Sequence, residues 1–512
     1  MLFQSPLPPV PLLSGTVHDV LLNDCVNQLE KTAFIDGVSG AAQSFGDVLQ
    51  SVLNLASVLQ QDGLRLGDIV VLCLPNCLEY IPSFLAISKC GAVTSGINHL
   101  ATQDSEIAAD TTLSNVAQQI YLNDDVVSQT DCKSLKLALK TKSNGNFRDV
   151  LLDPKQTLCL MPYSSGTTGK SKGVMLNHSN VLAMLSCMGA VTIKEYNFYG
   201  LSDFCLGVLP MFHMFGFVRC LTTIRKGATM VLLPKFDPEQ YLGCLQKYKI
   251  SFTCGVPSML LFLAKDPRVA NYDLSHLRVV LYGAAPAGAE LLDGCRRRLP
   301  NVSFVQVYGM TECMTCHIEV VGSKSGPGTT GVLMPIFEAK ILDLESGQEL
   351  GVGEKGEICL RGPSVMKGYY RQEAITKSVI DENGFYHTGD IGYYDREGNF
   401  CIVGRKKELI KVKGYQVPPA ELESLLLSHP EILDAGVIGV PDDRFGEVPK
   451  AYVVRSPTSK LSEVDVCNYV KAKVSPYKQL AGGVEFVSHL PKSPSGKLLR
   501  RLLRDQAKKS KL

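Results

Sequence analysis

The sequence predicts an α/β fold in two unequal parts, and three observations carry that expectation. Short apolar runs alternate with helical stretches through roughly the first 300 residues, the rhythm of strands joined by crossover helices. From about Gly326 the texture changes to glycine-punctuated short strands, the pattern of a small antiparallel or barrel-like part. Beyond Gly404-Arg405 follows an α+β pattern of about 100 residues, long enough to fold on its own. The expected architecture is a large N-terminal domain, residues 1–404, of doubly wound and mostly parallel sheets plus the barrel-like part. It is followed by a small α+β C-terminal domain, residues 405–512.

The elements follow in order. Asp68 to Leu74 reads as a strand that leads through Pro75-Asn76 into a helix to about Lys89, then a strand at 91–94. Leu158 to Met161 and Val174 to Leu176 read as buried strands. Phe204 to Pro210 leads through the 211–226 region to a strand over 228–233. Leu277 to Tyr282 runs into Gly283-Ala-Ala-Pro286, then a helix to about Leu299 and a strand at 302–307. Strands spaced in this way form parallel sheets with helices on both faces, and such sheets gather ligands at the carboxyl ends of their strands. In the C-terminal part a helix is expected over 419–428, strands near 433–440 and 449–455, a helix at 462–474 and a strand at 483–487.

Composition excludes several classes. Apolar residues make up 45% of the 512-residue chain and charged residues 20%, ordinary for a soluble enzyme. Lys and Arg number 52 against 50 Asp and Glu, so nothing in the balance asks for nucleic acid or an anionic membrane. No apolar run reaches the roughly 20 residues a membrane span needs, and Met1 to Leu13 makes a poor signal peptide. Among 17 cysteines only Cys313-Met-Thr-Cys316 has C-x-x-C spacing, and no second pair completes a zinc site; buried free thiols are expected. His317 after that pair matches a haem-attachment pattern only formally, because the pair overlaps a stronger motif. Ser510-Lys511-Leu512 is a peroxisomal import tripeptide, preceded by Lys508 and Lys509, which predicts recognition by the import receptor and a place in the peroxisomal matrix.

The most informative stretch is Tyr163-Ser-Ser-Gly-Thr-Thr-Gly-Lys-Ser-Lys-Gly-Val174. Its glycines let backbone N–H groups approach an anion, Ser164, Ser165, Thr167 and Thr168 add hydroxyl donors, and Lys170 and Lys172 add charge. It grips phosphates without being a Walker loop, since Ser164 stands where that pattern needs glycine. Five further motifs are Tyr282-Gly-Ala-Ala-Pro-Ala-Gly288, Tyr308-Gly-Met-Thr-Glu312, Tyr386-His-Thr-Gly-Asp390, the basic run from Gly404 to Gln416, and Pro491-Lys-Ser-Pro-Ser-Gly-Lys497.

In this order the six motifs resemble the adenylate-forming superfamily of acyl-CoA synthetases, beetle luciferases and peptide-synthetase adenylation domains, over about residues 25–500. Pro210-Met-Phe-His-Met-Phe-Gly216 and Gln416-Val-Pro-Pro-Ala-Glu-Leu-Glu423 are most similar to the 4-coumarate:CoA ligase and luciferase branch. The resemblance implies a ligase that joins a carboxylic acid to CoA through an acyl-adenylate, using ATP and Mg²⁺. The 164–172 loop, with Gly166 and its cationic end Lys172, would hold the β- and γ-phosphates. Thr311 would bond the α-phosphate and Glu312 would hold Mg²⁺. Tyr308 would stack on adenine against the Gly283-Ala284-Ala285 backbone, Asp390 and Arg405 would take the ribose hydroxyls, and Gln306 and Gly309 complete the nucleotide set.

By the same resemblance Lys497 reaches both the acid's carboxylate and the α-phosphate, neutralising charge as two anions meet. A rotation about a hinge at Lys407 would then exchange the Lys497 face for the face carrying Lys411, Lys413, Gly414 and Gln416, which serves thioester formation. His213 would guard an acid pocket lined also by Phe215, Arg219, Val307, Met314 and Thr315, beside Gly283 and Ala284. Val307 narrows a position commonly glycine in this branch. Arg219 is an unexpected charge there; it either pairs with a polar substrate tail or points outward.

The rivals are a luciferase-like monooxygenase, an amino-acid adenylation module and a non-catalytic AMP- or acyl-binding protein of the same fold. Val305 stands where beetle luciferases usually carry arginine, about fifteen residues follow Lys497 where a module would continue into a carrier domain, and Glu312, Lys497 and the loop are all retained. The acid itself is left open among fatty, hydroxycinnamic and larger side-chain acids.

Overall fold

A computed structural model of the chain describes residues 2–98, 120–122, 132–142, 147–164, 171–194, 200, 202–285, 287–320, 328–492 and 497–509. The expected rhythm is present from the start. β1 (Ile69–Leu72), α1 (Tyr80–Lys89) and β2 (Val93–Gly96) form a crossover unit whose two strands pair in parallel. β3 (Leu158–Leu160) lies parallel beside β2, and β4 (Lys172–Asn177) runs antiparallel to β3. α2 (His178–Lys194) leads from this sheet to the larger one.

The larger sheet is built on β5 (Phe204–Gly207), β6 (Thr229–Leu232), β7 (Phe252–Gly255) and β8 (Val279–Tyr282). These are ordered β6-β5-β7-β8 and all parallel. β6, β7 and β8 are buried along their whole length, which is why they read as continuous apolar runs rather than alternating ones. α3 (Met214–Arg225) crosses from β5 to β6, and α4 (Ala289–Arg298) crosses from β8 to β9 (Ser303–Met310). α3 is buried on nearly every side, packed between α2 and the sheet, yet it carries Arg219.

The antiparallel part joins the parallel one through a single strand. Ser303 to Gln306 of β9 pair in parallel with β8, while Val307 to Met310 pair antiparallel with β10 (Met314–Ile318). The turn at Thr311 to Cys313 reverses the chain, and five later strands continue antiparallel on the same sheet: β11 (Thr329–Leu333), β12 (Glu338–Leu342), β13 (Gly356–Arg361), β14 (Tyr386–Tyr394) and β15 (Asn399–Arg405). Their order is β10-β11-β15-β14-β13-β12. The strands expected as a small antiparallel or barrel-like part are antiparallel, and they extend one sheet of 14 strands among the described residues.

The apolar cluster beneath these sheets runs from Val17 to Phe400, and the next begins at Ile410. This second core packs β16 (Ile410–Val412), α5 (Pro419–Leu427), β18 (Ile432–Asp442) and β19 (Gly446–Arg455) together, with β20 (Val484–Phe486) on the edge. β16 and β17 (Tyr415–Val417) form a hairpin whose two turn residues, Lys413 and Gly414, both have positive φ (51° and 83°). That is the two-residue turn matching strand twist, and it favours glycine at the second position. α6 (Arg500–Lys509) packs on β18.

Candidate active site

The ends of the phosphate loop are pinned by sheet pairing. Ser164 stands opposite Lys172, and Tyr163 opposite Gly173, in a short antiparallel ladder. Ser165, Gly166, Thr167 and Thr168 lie outside the described residues. The Lys172 ammonium sits 5.5 Å above the Tyr369 ring, and Tyr369 Oη donates to Glu312 Oε1 at 2.9 Å. Tyr386 Oη lies 3.5 Å from Tyr369 Oη. Burial lowers the Lys172 pKa against the opposing pull of Glu312, and the charge of Lys407 lowers it further. Lys407 itself is exposed in the turn between β15 and β16.

Glu312 is buried beside Thr311 in the turn that reverses the sheet. Its second carboxylate oxygen takes no hydrogen bond from any described residue. One carboxylate with a free oxygen suits Mg²⁺, which keeps most of its ligands as water and phosphate oxygens rather than a protein cage. No cluster of three metal-ligating side chains occurs among the described residues, Cys313 and Cys316 included. Both of those cysteines are free and buried.

Tyr308, Asp390 and Arg405 form the second group. Asp390 and Arg405 are cross-strand neighbours on β14 and β15, and the Asp390 carboxylate joins Arg405 Nε at 2.9 Å and accepts from Tyr308 Oη at 2.6 Å. One face of the Tyr308 ring is covered: His317 stacks on it with centroids 4.8 Å apart, and Phe400 stacks on His317 at 4.3 Å. Burial lowers the His317 pKa to about 3, so this backing ring is neutral. Ala284, in the turn after β8, holds φ at +69°, a conformation costly for a residue with a Cβ.

Lys497 is brought to this second group. Burial lowers its pKa, the positive charge of Arg405 lowers it further, and Glu408 and Asp390 oppose the shift. Arg500 ties the segment down through Glu408 (2.8 Å) and Glu423 (2.6 Å). Ser424, on α5, lies against Gly288 at the start of α4. A lysine that must be protonated to meet two anions should lose that ability early as pH rises. We expect kcat/KM of the adenylate-forming step, which reports the free enzyme, to fall at a pH below lysine's ordinary 10.5. A pH profile of pyrophosphate release that stays flat beyond that value would refute this.

Val307, expected to line an acid pocket, lies on the other face of the same strand. Side chains alternate along β9, so Gln306 and Tyr308 point one way and Val305 and Val307 the other. A Cβ on Gly283 would stand 3.0 Å from Val307 Cγ2 and 3.7 Å from Phe215 Cε1, which places those two side chains against each other over Gly283. Gly309 permits no side chain at all, since a Cβ there would meet the Met314 carbonyl oxygen at 2.0 Å. Met314 and Thr315 on β10 are buried near α3. His213 caps the start of α3; burial lowers its pKa to about 4, and its Nε2 is buried without a hydrogen-bond partner among the described residues. Gln306 is turned to structure: its Oε1 accepts from Tyr282 Oη at 3.1 Å. Arg219 does not point outward; it is 3% exposed.

Lys411, Lys413, Gly414 and Gln416 are exposed on and around the β16–β17 hairpin. The structure thus gathers Lys172, Glu312, Tyr308, Asp390, Arg405 and Lys497, and leaves the hairpin set in solvent. Tyr369, His317 and Phe400 are site residues that the sequence does not announce. Tyr369 lies in Gly368-Tyr-Tyr370, which has no phosphate- or metal-binding pattern, and His317 reads only as an accident of the C-x-x-C spacing.

A phosphate loop, a buried acid–tyrosine–arginine group and a lysine from a second small part define an enzyme that holds a nucleotide beside an apolar acid pocket. Residues 22–370 match the AMP-binding enzyme family and 421–497 the AMP-binding enzyme C-terminal domain. The chain belongs to the AMP-binding enzymes, the adenylate-forming superfamily whose motifs it carries. It is 36% identical over 538 residues to "Probable 4-coumarate--CoA ligase 1" of Dictyostelium discoideum, covering 98% of this chain and 97% of that one. Among solved structures, ATP-bound MatB from Rhodopseudomonas palustris matches with TM-score 0.83 and 28% identity, over 96% of this chain and 99% of that one. The o-succinylbenzoate CoA synthetase MenE from Bacillus subtilis, in complex with its acyl-adenylate intermediate, matches with TM-score 0.80 and 26% identity, over 95% and 98%.

Proposed function

We propose that the protein is an ATP-dependent acid:CoA ligase that converts an organic carboxylic acid to its CoA thioester through an acyl-adenylate. The observation that carries this reading is the position of Lys497. It is buried in the electrostatic field of Arg405, Glu408 and Asp390, which brings a cation from the small part to the nucleotide group. An acid oxygen attacks the α-phosphorus of ATP, the bond to the β-phosphate oxygen breaks, and pyrophosphate leaves. The thiolate of CoA then attacks the acyl carbon and AMP leaves.

In the first step Lys172 faces the leaving phosphates and Lys497 neutralises the charge of the two anions that meet. Asp390 and Arg405 hold the ribose, and Tyr308 holds adenine on the face that His317 leaves open. Glu312 is the residue that would hold Mg²⁺, which supplies charge neutralisation at phosphate oxygens. His213, neutral at working pH, lines the acid's approach. In the second step the small part rotates about Lys407 and brings Lys411, Lys413, Gly414 and Gln416 inward.

The direct test supplies ATP, Mg²⁺ and CoA with a panel of carboxylic acids, scored by pyrophosphate release and thioester mass. No cleavage between the α- and β-phosphorus atoms with any acid would overturn the reading. The peroxisomal address rests on Ser510-Lys511-Leu512 alone, which lie outside the described residues. A fluorescent fusion that localises identically with and without that tripeptide would refute it.

A further inference from the structure

The helix that carries Phe215 toward Gly283 also carries, one turn on, a buried cation to which the described residues offer no anion. Arg219 lies on α3 one turn beyond Phe215, on the same helical face, so it stands about 6 Å deeper along the axis from the residue that meets Val307 and Gly283. It is 3% exposed. Nε and Nη1 have no hydrogen-bond partner among the described residues, and Nη2 reaches only the thioether of Met188 at 3.1 Å, a weak acceptor. No carboxylate among the described residues forms an ion pair with it. The charged group it influences most clearly is another cation: the Lys226 ammonium is pushed down to about 8, first by burial and then by Arg219.

Such an arrangement is costly unless a ligand supplies the missing acceptors. An arginine cannot shed its charge to ease burial, as a lysine can, and a buried guanidinium without acceptors forfeits its hydration for nothing in return. A structural arginine would be expected to hold a carboxylate or carbonyls, as Arg225 does with Asp24 and Arg405 with Asp390. The guanidinium instead lines a cavity of about 10 Å³, together with Met211, Met230, Cys220 and Cys254. That is room for about one water or the polar tip of a ligand, and not for a ligand's body. Methionine walls are deformable and let such an end enter.

We propose that Arg219 selects the far end of the acid, and that the preferred substrate carries a second carboxylate there. The activated carboxylate lies toward His213 and Lys497, and the distal one forms the paired hydrogen bonds that a guanidinium offers a carboxylate. This rests on the ligase reading and narrows it to dicarboxylic, or ω-carboxylated, acids.

The test is a homologous series in three arms: straight-chain monocarboxylic acids, the ω-dicarboxylic acids of the same length, and their ω-monomethyl esters. Each is assayed by kcat/KM for pyrophosphate release with wild type and with Arg219→Met. The expected result is a length at which the diacid exceeds both matched arms by about 100-fold in wild type, since a site built to pair a polar group rejects the analogue lacking it. In Arg219→Met the ratio falls to one or below. The variant should melt no lower than wild type, because replacing an unpaired buried charge by an apolar side chain of similar length is neutral or stabilising.

A wild type that uses monoacid and ester as well as the diacid at every length overturns the inference while leaving the ligase standing. If no acid of any arm releases pyrophosphate, the ligase reading fails, and binding decides the inference separately. A diacid that raises the melting temperature of wild type, but not of Arg219→Met, supports it; equal shifts from diacid and monoester sink it.

Discussion

Lys497→Ala should lower adenylate formation by about 100- to 1,000-fold, the range seen when one preorganised charge is removed from a reacting centre, while thioester formation from preformed acyl-adenylate and CoA continues at near the wild-type rate. The asymmetry follows from geometry. Lys497 stands with Arg405, Glu408 and Asp390, and Arg500 secures its segment to Glu408 and Glu423, so its loss removes the cation that the small part brings to the nucleotide group. Lys411→Ala should do the reverse, sparing pyrophosphate release and slowing the thiol step, since Lys411 is exposed on the hairpin in this arrangement. The two half-reactions are measured separately, by pyrophosphate release and by consumption of synthetic acyl-adenylate. Equal losses in both half-reactions for each variant would contradict an alternation of faces.

Asp390→Asn carries the second large effect, and it is one of stability and nucleotide affinity together. Asp390 is 3% exposed, accepts from Tyr308 Oη, and is the ion-pair partner of the Arg405 guanidinium. Asparagine keeps the shape and removes the charge, leaving Arg405 in a site arranged for a carboxylate. Breaking a buried pair from one side costs about 3 kcal/mol or more, so a lower melting temperature is expected. The KM for ATP should rise roughly 10- to 100-fold, as charged hydrogen bonds to a ribose are worth. A variant that melts and binds ATP as wild type does would remove Asp390 from the site.

Much of the site is legible in the sequence because the relevant groups sit in short contiguous stretches at strand ends. Gly283-Ala284-Ala285 follows β8 and Tyr308 to Glu312 close β9, so local spacing alone places them at the carboxyl edge of a parallel sheet. Pairings across long separations leave no such mark. The stack of Tyr308, His317 and Phe400 joins three strands, and the Lys172–Tyr369–Glu312 chain spans nearly 200 positions of sequence. No periodicity reports such meetings. The lack of an anionic partner for Arg219 among the described residues is harder still to read, because it consists of contacts that are not made.

The way β9 turns alternate residues to opposite sides has a consequence for how such an enzyme diversifies. On the proposed reading, fuel and cargo would occupy adjoining rooms that share a wall one strand thick, with Val307 furnishing one and Tyr308 the other. A change at Val307 can resize the cargo side without disturbing the grip on adenine at Tyr308. New selectivities can therefore arise by single steps that leave the energy supply intact.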